Sequence, residues 1–429
     1  MNFNGLSIEQ APPISAPLRF YLTAPLFAII AGFLILFSDT TVLMSRYSID
    51  SIIITHALTI GFLSFIMLGS LSQMLPVLAG VVIPKVDVVT KASHGLLVLG
   101  TVFMLLGLSY DNSLFNTISI LGLGTGFLII IGVISIAIAK VQNFTATVKA
   151  MATSLFFVFF IVLMGLFLLY SYIDDSYAYL RPLIANIHSV WAIFGFGGIL
   201  IIGVSFQVLP MFYVAPKFKQ FCKKKVVLLI SIGLFMWLGL NLFYDSYSLV
   251  AKAWIALFFW AFATTVWKKL SARRRPISDT TVWYWRSSSI FLTLGSFLWI
   301  FDEYFKNEYI VMVAILIGGG FIMSIMIGML YKVIPFLVWF HLNGMGYMNI
   351  PTINEMINKK LAKTQFILFI ASLIGFIFAF YYPMLLKISA ISFILSMIIL
   401  EYNIIAPVLI YRKTKKTKPD FDMNAFTTF

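Results

Sequence analysis

The sequence predicts an all-α integral membrane protein with about twelve transmembrane helices arranged as three pseudo-symmetric four-helix repeats. Hydrophobic residues make up 61% of the chain and charged residues only 11%, whereas soluble proteins average about 25% charged residues. Apolar runs of about 20 residues recur along the chain, which is the length that a helix needs to cross a bilayer. The alternation over about ten residues that marks a membrane barrel strand does not occur.

Twelve apolar segments follow one another, separated by short polar connections. The segments cover roughly residues 20–38, 52–83, 92–110, 114–139, 147–172, 183–213, 226–244, 248–267, 283–301, 309–335, 365–385 and 388–411. We interpret residues 1–429 as a single membrane domain that ends in a basic tail at 413–429. The first 20 residues have no basic region followed by an apolar core, so we do not expect a cleaved signal peptide.

The charges alternate between the two sides of the predicted bundle. Connections after even-numbered spans, and the tail, carry Lys85, Lys91, Lys217, Lys219, Lys223, Lys224, Lys225, Lys268, Lys269, Arg273, Arg274, Arg275, Lys359, Lys360, Lys363, Arg412, Lys413, Lys415, Lys416 and Lys418. Connections after odd-numbered spans carry Asp39, Asp50, Asp111, Asp174, Asp175, Asp245, Asp302, Glu303 and Glu308. By the positive-inside rule, both termini are cytoplasmic in the cell inner membrane. The net charge of +14 then reflects topology and contacts with anionic membrane lipids rather than nucleic-acid binding.

One sequence pattern occurs three times, in the second, sixth and tenth spans. The copies are "GFLSFIMLGSLSQMLP", "GFGGILIIGVSFQVLP" and "GFIMSIMIGMLYKVIP". Aligned residues of the three copies are Gly61, Gly69, Gln73 and Pro76; Gly195, Gly203, Gln207 and Pro210; and Gly320, Gly328, Lys332 and Pro335. Internal repeats are common in membrane proteins. We therefore predict repeats at approximately 18–140, 146–270 and 282–412.

The repeated small and polar residues have structural interpretations. Small residues let helix backbones approach closely inside a membrane, so the glycines mark interior faces, with room for a flat ligand as the alternative. We expect Gln73 and Gln207 to hydrogen-bond backbone groups that the prolines free, with substrate contact as the alternative. Lys332 is expected to extend toward the cytoplasmic surface.

Two histidines lie inside predicted spans at similar depth. His56 is about four residues into the second span and His188 about five into the sixth. A neutral imidazole can bind haem iron or copper through one nitrogen while the other donates a hydrogen bond. The two differ by two residues in their distance to the aligned prolines, roughly 200° on an ideal helix, so they face alike only if a bulge intervenes. A shared metal site and two unrelated buried histidines both remain open.

Other polar or soft side chains inside the spans are weaker candidates. Glu401 lies near the middle of the last span, where an ionised carboxylate is costly. We expect it to be paired with Lys252, Lys332 or Arg286, to be protonated, or to serve as a proton or cation site. We interpret His94 and His341 as interfacial or packing residues. The stripe of Met323, Met326 and Met329 suits Cu(I) by its chemistry but is more simply interpreted as core packing.

Several stretches together resemble a known family. "PLRFYLTAPLFAII" opens the first span, "HALTIGF" leads to "QMLPVLAG", and "IHSVWAIFGFGG" leads to "QVLPMF". With twelve spans and a threefold pattern, they resemble subunit I of the haem–copper oxidases and, more closely, the NnrS family of haem- and copper-containing membrane proteins linked to nitric-oxide stress. The resemblance implies a haem, with copper as a further metal, and puts His56 at a haem-ligand position and His188 at a copper-ligand position.

The departures from the oxidase pattern limit the expected activity. The seventh span lacks an adjacent histidine pair, and Val313 and Ile315 stand in the tenth span at the depth where the oxidases have haem ligands. An oxygen-reducing centre is therefore not expected, and no catalytic set is predicted. The leading hypothesis is a haem-binding inner-membrane protein acting in nitric-oxide or metal stress or in electron transfer, with respiratory redox proteins as partners. The alternatives are a secondary transporter of a small solute or metal ion and an assembly partner of a respiratory complex.

Overall fold

The computed structural model describes residues 10–274, 278–305 and 308–421. Arg275 and residues 422–429 of the expected basic tail lie outside the described residues. Within them the chain forms helices and no strands. The long helices are α1 (Ser15–Phe37), α2 (Ile49–Ala79), α3 (Val86–Ser109), α4 (Ser113–Ala139), α5 (Ala146–Tyr170), α6 (Asp175–Tyr213), α7 (Gln220–Phe243), α8 (Asp245–Ser271), α9 (Thr280–Phe301), α10 (Ile310–Gly344), α11 (Lys359–Phe378) and α12 (Met384–Thr414).

Most of these helices have the length and hydropathy of membrane spans. In the described part of the chain, eleven qualify, and the protein is a multi-pass helical membrane protein. The exception is α9, which is long enough but more polar. Ser288 and Ser289 of α9 are buried and donate to the carbonyl oxygen of Trp285 at 2.8 and 3.0 Å. Because these hydroxyls are satisfied within their own helix, the polar side of α9 can be buried in the bundle, while Ile290, Leu294 and Phe297 are exposed on the other side.

Neighbouring helices in sequence pack as neighbours in space, and α12 closes against α1. The same pairings occur in each third of the chain: the first helix packs on the second, the second on the fourth, and the third on the fourth. The fourth helix of each third also packs on the first helix of the next third, since the pairs α4–α5, α8–α9 and α12–α1 are all in contact.

The repeated prolines lie inside helices and do not end them. Pro76 and Pro210 are followed by three further helical residues in α2 and α6, whereas α10 continues nine residues beyond Pro335. α2 ends on Gly80 with φ of 67°, and α6 ends at the aligned Val214 with φ of 51°. Glycine adopts this left-handed conformation at little cost, whereas a β-branched residue is strained in it.

The space beside each repeated glycine is filled by a neighbouring side chain. A Cβ atom at Gly61, Gly195 or Gly320 would come within 3.0 Å of a phenylalanine on the preceding helix, at Phe27, Phe157 and Phe291 respectively. At the second repeated position, a Cβ atom at Gly69, Gly203 or Gly328 would come within 3.1 Å of Phe20, Ala150 and Tyr284 respectively. The three helix pairs thus pack in one register, and the aromatic rings leave no room for a flat ligand at Gly61, Gly195 and Gly320.

Candidate functional site

A π-helical segment interrupts each of the three helices that carry the repeated pattern. The segments are Ala57–Ser64 in α2, Trp191–Gly198 in α6 and Ile315–Met323 in α10. A π-helix is wider than an α-helix, so it changes the direction of the side chains before it relative to those after it. His56 directly precedes the segment in α2, and His188 lies three residues before the segment in α6. Segments of this kind are frequent at functional sites.

The imidazoles of His56 and His188 lie next to each other. Their ring centroids are 6.2 Å apart and their planes are inclined by 31°. On ideal α-helices the two residues would point in directions roughly 200° apart. The two π-helical segments have equal length and begin at the same distance from the aligned prolines, so they turn both helices alike. The two rings therefore meet from different faces of their helices. Both side chains are half-buried.

Each of the two rings is fixed through one nitrogen. The Nδ1 atom of His56 is 2.8 Å from the carbonyl oxygen of Ile52, and the Nδ1 atom of His188 is 3.1 Å from that of Ile161 on α5. A carbonyl oxygen only accepts, so both Nδ1 atoms carry the hydrogen, and both Nε2 atoms carry a lone pair. Among the described residues, neither Nε2 atom has a hydrogen-bond partner. This is the usual state of a metal-binding histidine, in which one nitrogen donates and the other is open.

A glycine on α5 makes room for the second imidazole. A Cβ atom at Gly165 would lie 3.1 Å from the Cε1 atom of His188, closer than ordinary van der Waals contact. The Ile161 carbonyl that accepts from His188 lies one turn earlier on the same helix. α5 therefore holds the His188 ring by a hydrogen bond and by contact.

Arg46 lies beside the histidine pair without an acidic partner. Its guanidinium donates to the side-chain oxygen of Asn186 at 2.9 Å and to the hydroxyl of Ser189 at 3.5 Å, next to His188 in sequence. Within the described part of the chain, no carboxylate forms an ion pair with Arg46. Burial lowers the pKa of Arg46 from its ordinary value, although a guanidinium stays charged in proteins. This positive charge favours an anionic group at the site.

The spacing of the histidines fits one metal between them. With metal–nitrogen bonds of about 2.0 Å, two imidazoles on opposite sides of one metal have ring centres roughly 6 Å apart. No group of three or more histidine, cysteine, aspartate or glutamate side chains able to hold a metal occurs among residues 10–274, 278–305 and 308–421. The protein thus offers two nitrogen ligands at most. That set fits haem iron, whose macrocycle supplies four ligands, or a two-coordinate copper(I) ion.

The polar residues before the repeated prolines differ from expectation. The Oε1 atom of Gln73 is buried and has no hydrogen-bond partner in the described part of the chain; a bond to a freed carbonyl would have to come from Nε2, because both oxygens are acceptors. Lys332 does not reach the surface. It is 7% exposed and forms an ion pair of 2.6 Å with Asp279. Its ammonium reaches the half-exposed carboxylate that caps the start of α9, so it extends toward that end of the bundle but ends in an ion pair.

The expected cationic partners of Glu401 are engaged elsewhere. Lys252 pairs with Glu303, and Lys332 pairs with Asp279. The Arg286 guanidinium lies 5.4 Å from the ring centre of Trp267. Glu401 itself forms no ion pair with a described residue, and its Oε2 atom is buried without a hydrogen-bond partner. The expected pairing with one of these three cations does not occur, which leaves a protonated carboxyl group or a proton or cation site.

The other two histidines lie apart from the pair. His94 hydrogen-bonds Thr23 through Nε2 at 2.9 Å and packs edge-on against Phe20, with centroids 5.2 Å apart. His341 packs edge-on against Phe340, and its buried Nε2 atom has no partner among the described residues. Both contacts are those of packing residues.

Comparisons with known proteins give no family assignment. No protein-family model matches the chain, and no curated protein matches it.

Sequence reasoning missed two residues of the site, Arg46 and Gly165. Arg46 carried a signal, because it is a cation in a connection where acidic residues dominate. Gly165 carried none, since it lies outside the repeated pattern and its role appears only through its contact with His188.

Proposed function

We propose that the protein is a haem-binding membrane protein in which His56 and His188 are the two axial ligands of one haem. The observation that carries the proposal is the paired geometry: rings 6.2 Å apart, each with Nδ1 donating to a backbone carbonyl and Nε2 open. Two unrelated buried histidines would not need to share this spacing and this hydrogen-bonding state.

The number of protein ligands favours haem over a bare ion. Structural zinc takes four protein ligands, and copper(II) prefers four in a tetragonal arrangement. Among the described residues no third histidine, cysteine or carboxylate joins the pair to form a metal-binding group, and the resemblance to NnrS proteins points to the same cofactor. Copper(I) held between the two imidazoles is the other occupant that the donor set accepts.

The chain's own groups have distinct roles in this proposal. The backbone carbonyls of Ile52 and Ile161 fix the ring orientations. By accepting a hydrogen bond from Nδ1 they also make the Nε2 atoms stronger metal ligands. Arg46 supplies a positive charge for the anionic groups of the cofactor. Haem supplies one-electron chemistry when bound, and two histidine ligands favour electron transfer over binding of a gas. A role in electron transfer, or in the response to nitric oxide or metal stress, follows, with respiratory redox proteins as partners.

The proposal includes an architecture and an orientation. Repeats at approximately 18–140, 146–270 and 282–412 are supported by the common register of the three helix pairs and by the recurring helix pairings. With α9 counted as a span beside the eleven apolar helices, this arrangement has twelve spans. The basic connections face the cytoplasm of the inner membrane, with both termini on that side, and the histidine pair lies toward the opposite face.

The test is the absorption spectrum of the full-length protein, purified in mild detergent after expression with added haem. We expect a Soret band, and a pyridine haemochrome assay that gives one haem per chain. His56→Ala and His188→Ala are each expected to abolish or strongly shift the band. His341→Ala is the matched control, since this ring lies away from the pair, and should leave the spectrum unchanged.

Three results would overturn the haem proposal. The first is a folded protein with no Soret band. The second is a band that survives in both alanine variants of the pair. The third is one copper per chain, lost in the same variants, which would replace haem by copper at the same two ligands. Co-purification with oxidase subunits without any bound metal would favour the assembly partner instead.

A secondary transporter is the second candidate, and Glu401 is the observation that favours it. Its half-buried carboxyl group has no partner among the described residues and lies in a membrane-spanning helix, where such groups often belong to ion or proton paths. Solute or proton uptake into vesicles that is lost in Glu401→Gln would support this function. Uptake equal to that of empty vesicles would exclude it.

A further inference from the structure

A small cavity lies where α2, α6 and α10 meet, well away from the histidine pair. Its volume is about 60 Å³. Its lining from the three helices falls at matching positions before the repeated prolines, namely Ile66, Met67, Ser70, Leu71 and Met74; Leu200, Ile201, Val204, Ser205 and Val208; and Ile325, Met326, Met329 and Val333. Met151 and Trp285, at equal positions on α5 and α9, complete it. Ile66, which is the lining residue of α2 closest in sequence to His56, lies ten residues after it.

Five of these lining residues are methionines. They come from three helices: Met67 and Met74 from α2, Met151 from α5, and Met326 and Met329 from α10. Met67 and Met326 are each nine residues before the proline of their repeat, so they lie at the same level on two helices. Met151 is completely buried and Met67 is 2% exposed. Three helices thus place methionine side chains around one small space.

The two hydroxyl groups of the lining are already bonded, and the buried Nε1–H of Trp285, which has no partner among the described residues, is a donor that cannot bind a cation. The Ser70 hydroxyl is 3.0 Å from the hydroxyl of Tyr21, and Ser205 donates to the carbonyl oxygen of Ile202 at 2.6 Å. The lining holds no acidic side chain and no histidine. A hard cation would find no carboxylate or free carbonyl ligands of the kind it needs. The remaining donors are sulfur atoms, which select soft monovalent metals.

We propose that this cavity is a binding site for one copper(I) ion, held by the thioethers of Met67 and Met326 with Met151 or Met329 as a further ligand. Sequence alone favours packing for the stripe of Met323, Met326 and Met329, but the structure separates these residues. Met326 and Met329 line the cavity, whereas Met323 is buried elsewhere. Methionine side chains adapt readily to an irregular space, so the ion can be bound without rebuilding the helices.

The test is an anaerobic titration of the full-length protein in detergent with copper(I), against a chromophoric chelator that competes for the ion. We expect one copper(I) per chain at the cavity and a sulfur shell in the X-ray absorption spectrum. Silver(I), a soft ion of the same charge, should bind as well. Met67→Leu and Met326→Leu keep the side-chain volume and should each weaken binding about tenfold or more, which is at least 1.4 kcal/mol.

Two controls make the test specific. Met323→Leu is the matched variant, because Met323 is 2% exposed on the same helix and does not line the cavity; binding should not change. The double variant His56→Ala/His188→Ala should retain the sulfur-bound copper. The copper(I) proposal and the haem proposal are therefore tested independently of each other. Three outcomes would overturn the proposal. They are no binding of copper(I), equal affinity in the wild type and both leucine variants, and a metal coordination shell that contains nitrogen only.

Discussion

The imidazole of His188 rests against Gly165 of α5, and a Cβ atom at position 165 would lie 3.1 Å from its Cε1 atom. The same ring donates from Nδ1 to the Ile161 carbonyl, so α5 sets both its tautomer and its position. Its distance from His56 therefore depends on a helix that carries neither histidine. The site is built by three helices, α2, α5 and α6.

This contact predicts that Gly165→Ala changes metal binding without unfolding the protein. The added methyl group moves the ring by a few tenths of an ångström, and outer residues that orient metal ligands typically change affinity by about 10–100-fold. We expect weaker haem retention or a shifted Soret band. Gly132→Ala is the control, since a Cβ atom there meets nothing within 4 Å. A spectrum and affinity equal to the wild type would show that Gly165 does not position the ligand.

The close approach of Phe27 to Gly61 predicts that Gly61→Ala is destabilising. The methyl group would overlap the aromatic ring, and overpacking of this kind costs about 1–3 kcal/mol. Gly195→Ala and Gly320→Ala should behave alike, because Phe157 and Phe291 occupy the equivalent places. The measurement is the midpoint of thermal unfolding in detergent.

Gly318→Ala is the matched control for these variants. Gly318 lies in the same π-helical segment as Gly320, but a Cβ atom there has open space within 4 Å. Its unfolding midpoint should be unchanged or slightly higher, since alanine is the better helix former. Equal losses at Gly318 and Gly320 would mean that the backbone, and not the packing, requires glycine.

Sequence reasoning located the helices closely because length and hydropathy decide where a chain can cross a membrane. The span expected at 283–301 illustrates this success: α9 is a helix from Thr280 to Phe301, and although it is more polar than the others it exposes the apolar side chains of Ile290, Leu294 and Phe297. The side-chain partners were not predictable in the same way. Lys332 meets Asp279 from 53 residues away, and no local pattern pairs residues over that distance. The contact between His56 and His188 was not predictable either, because a sequence does not show how two distant helices are placed relative to each other.

Val214 predicts a stabilising substitution. It has φ of 51°, where a residue with a Cβ atom is disfavoured by about 1–2 kcal/mol and glycine is not. The side chain is 47% exposed, so little packing is lost in Val214→Gly. We expect a gain of roughly 1 kcal/mol after the entropy cost of glycine. Val82→Gly is the control: Val82 is also exposed but has no positive φ, and its replacement should not stabilise. A lower free energy of unfolding in Val214→Gly would contradict the claim that the backbone is strained at this residue.

The ion pair of Lys332 and Asp279 predicts unequal effects of its two partners. Lys332 is the more buried, so Asp279→Asn, which leaves an ammonium group inside the protein, should be more destabilising than Lys332→Gln. Asparagine keeps the helix cap that Asp279 gives to the backbone N–H of Val282, so the variant isolates the charge. The double variant should recover part of the loss. Equal effects of both single variants would contradict this account.

The same pair predicts a pH dependence. Burial disfavours ionisation of Asp279, but the ammonium of Lys332 and hydrogen bonds from Lys332, Thr281 and the Val282 N–H outweigh it and lower the pKa of Asp279. A lowered pKa in the folded state stabilises the protein above the unfolded pKa of about 3.9. That contribution is lost as the pH falls through the folded value. The stability difference between wild type and Asp279→Asn should therefore be constant near neutral pH and shrink below about pH 4.

The unpartnered carboxyl group of Glu401 predicts that it carries a proton in the folded protein. An ionised carboxylate at the centre of a spanning helix costs about 2.5–3.5 kcal/mol on insertion scales, and no described residue offers it a bond at Oε2. Glu401→Gln should then leave the thermal midpoint unchanged at neutral pH and remove the infrared band of a protonated carboxyl group. Glu303→Gln is the contrasting variant, because it removes the carboxylate bound to Lys252, which is 3% exposed. It should be clearly destabilising. If Glu401→Gln lowered the midpoint as much as Glu303→Gln, Glu401 would have to be ionised and compensated by a charge.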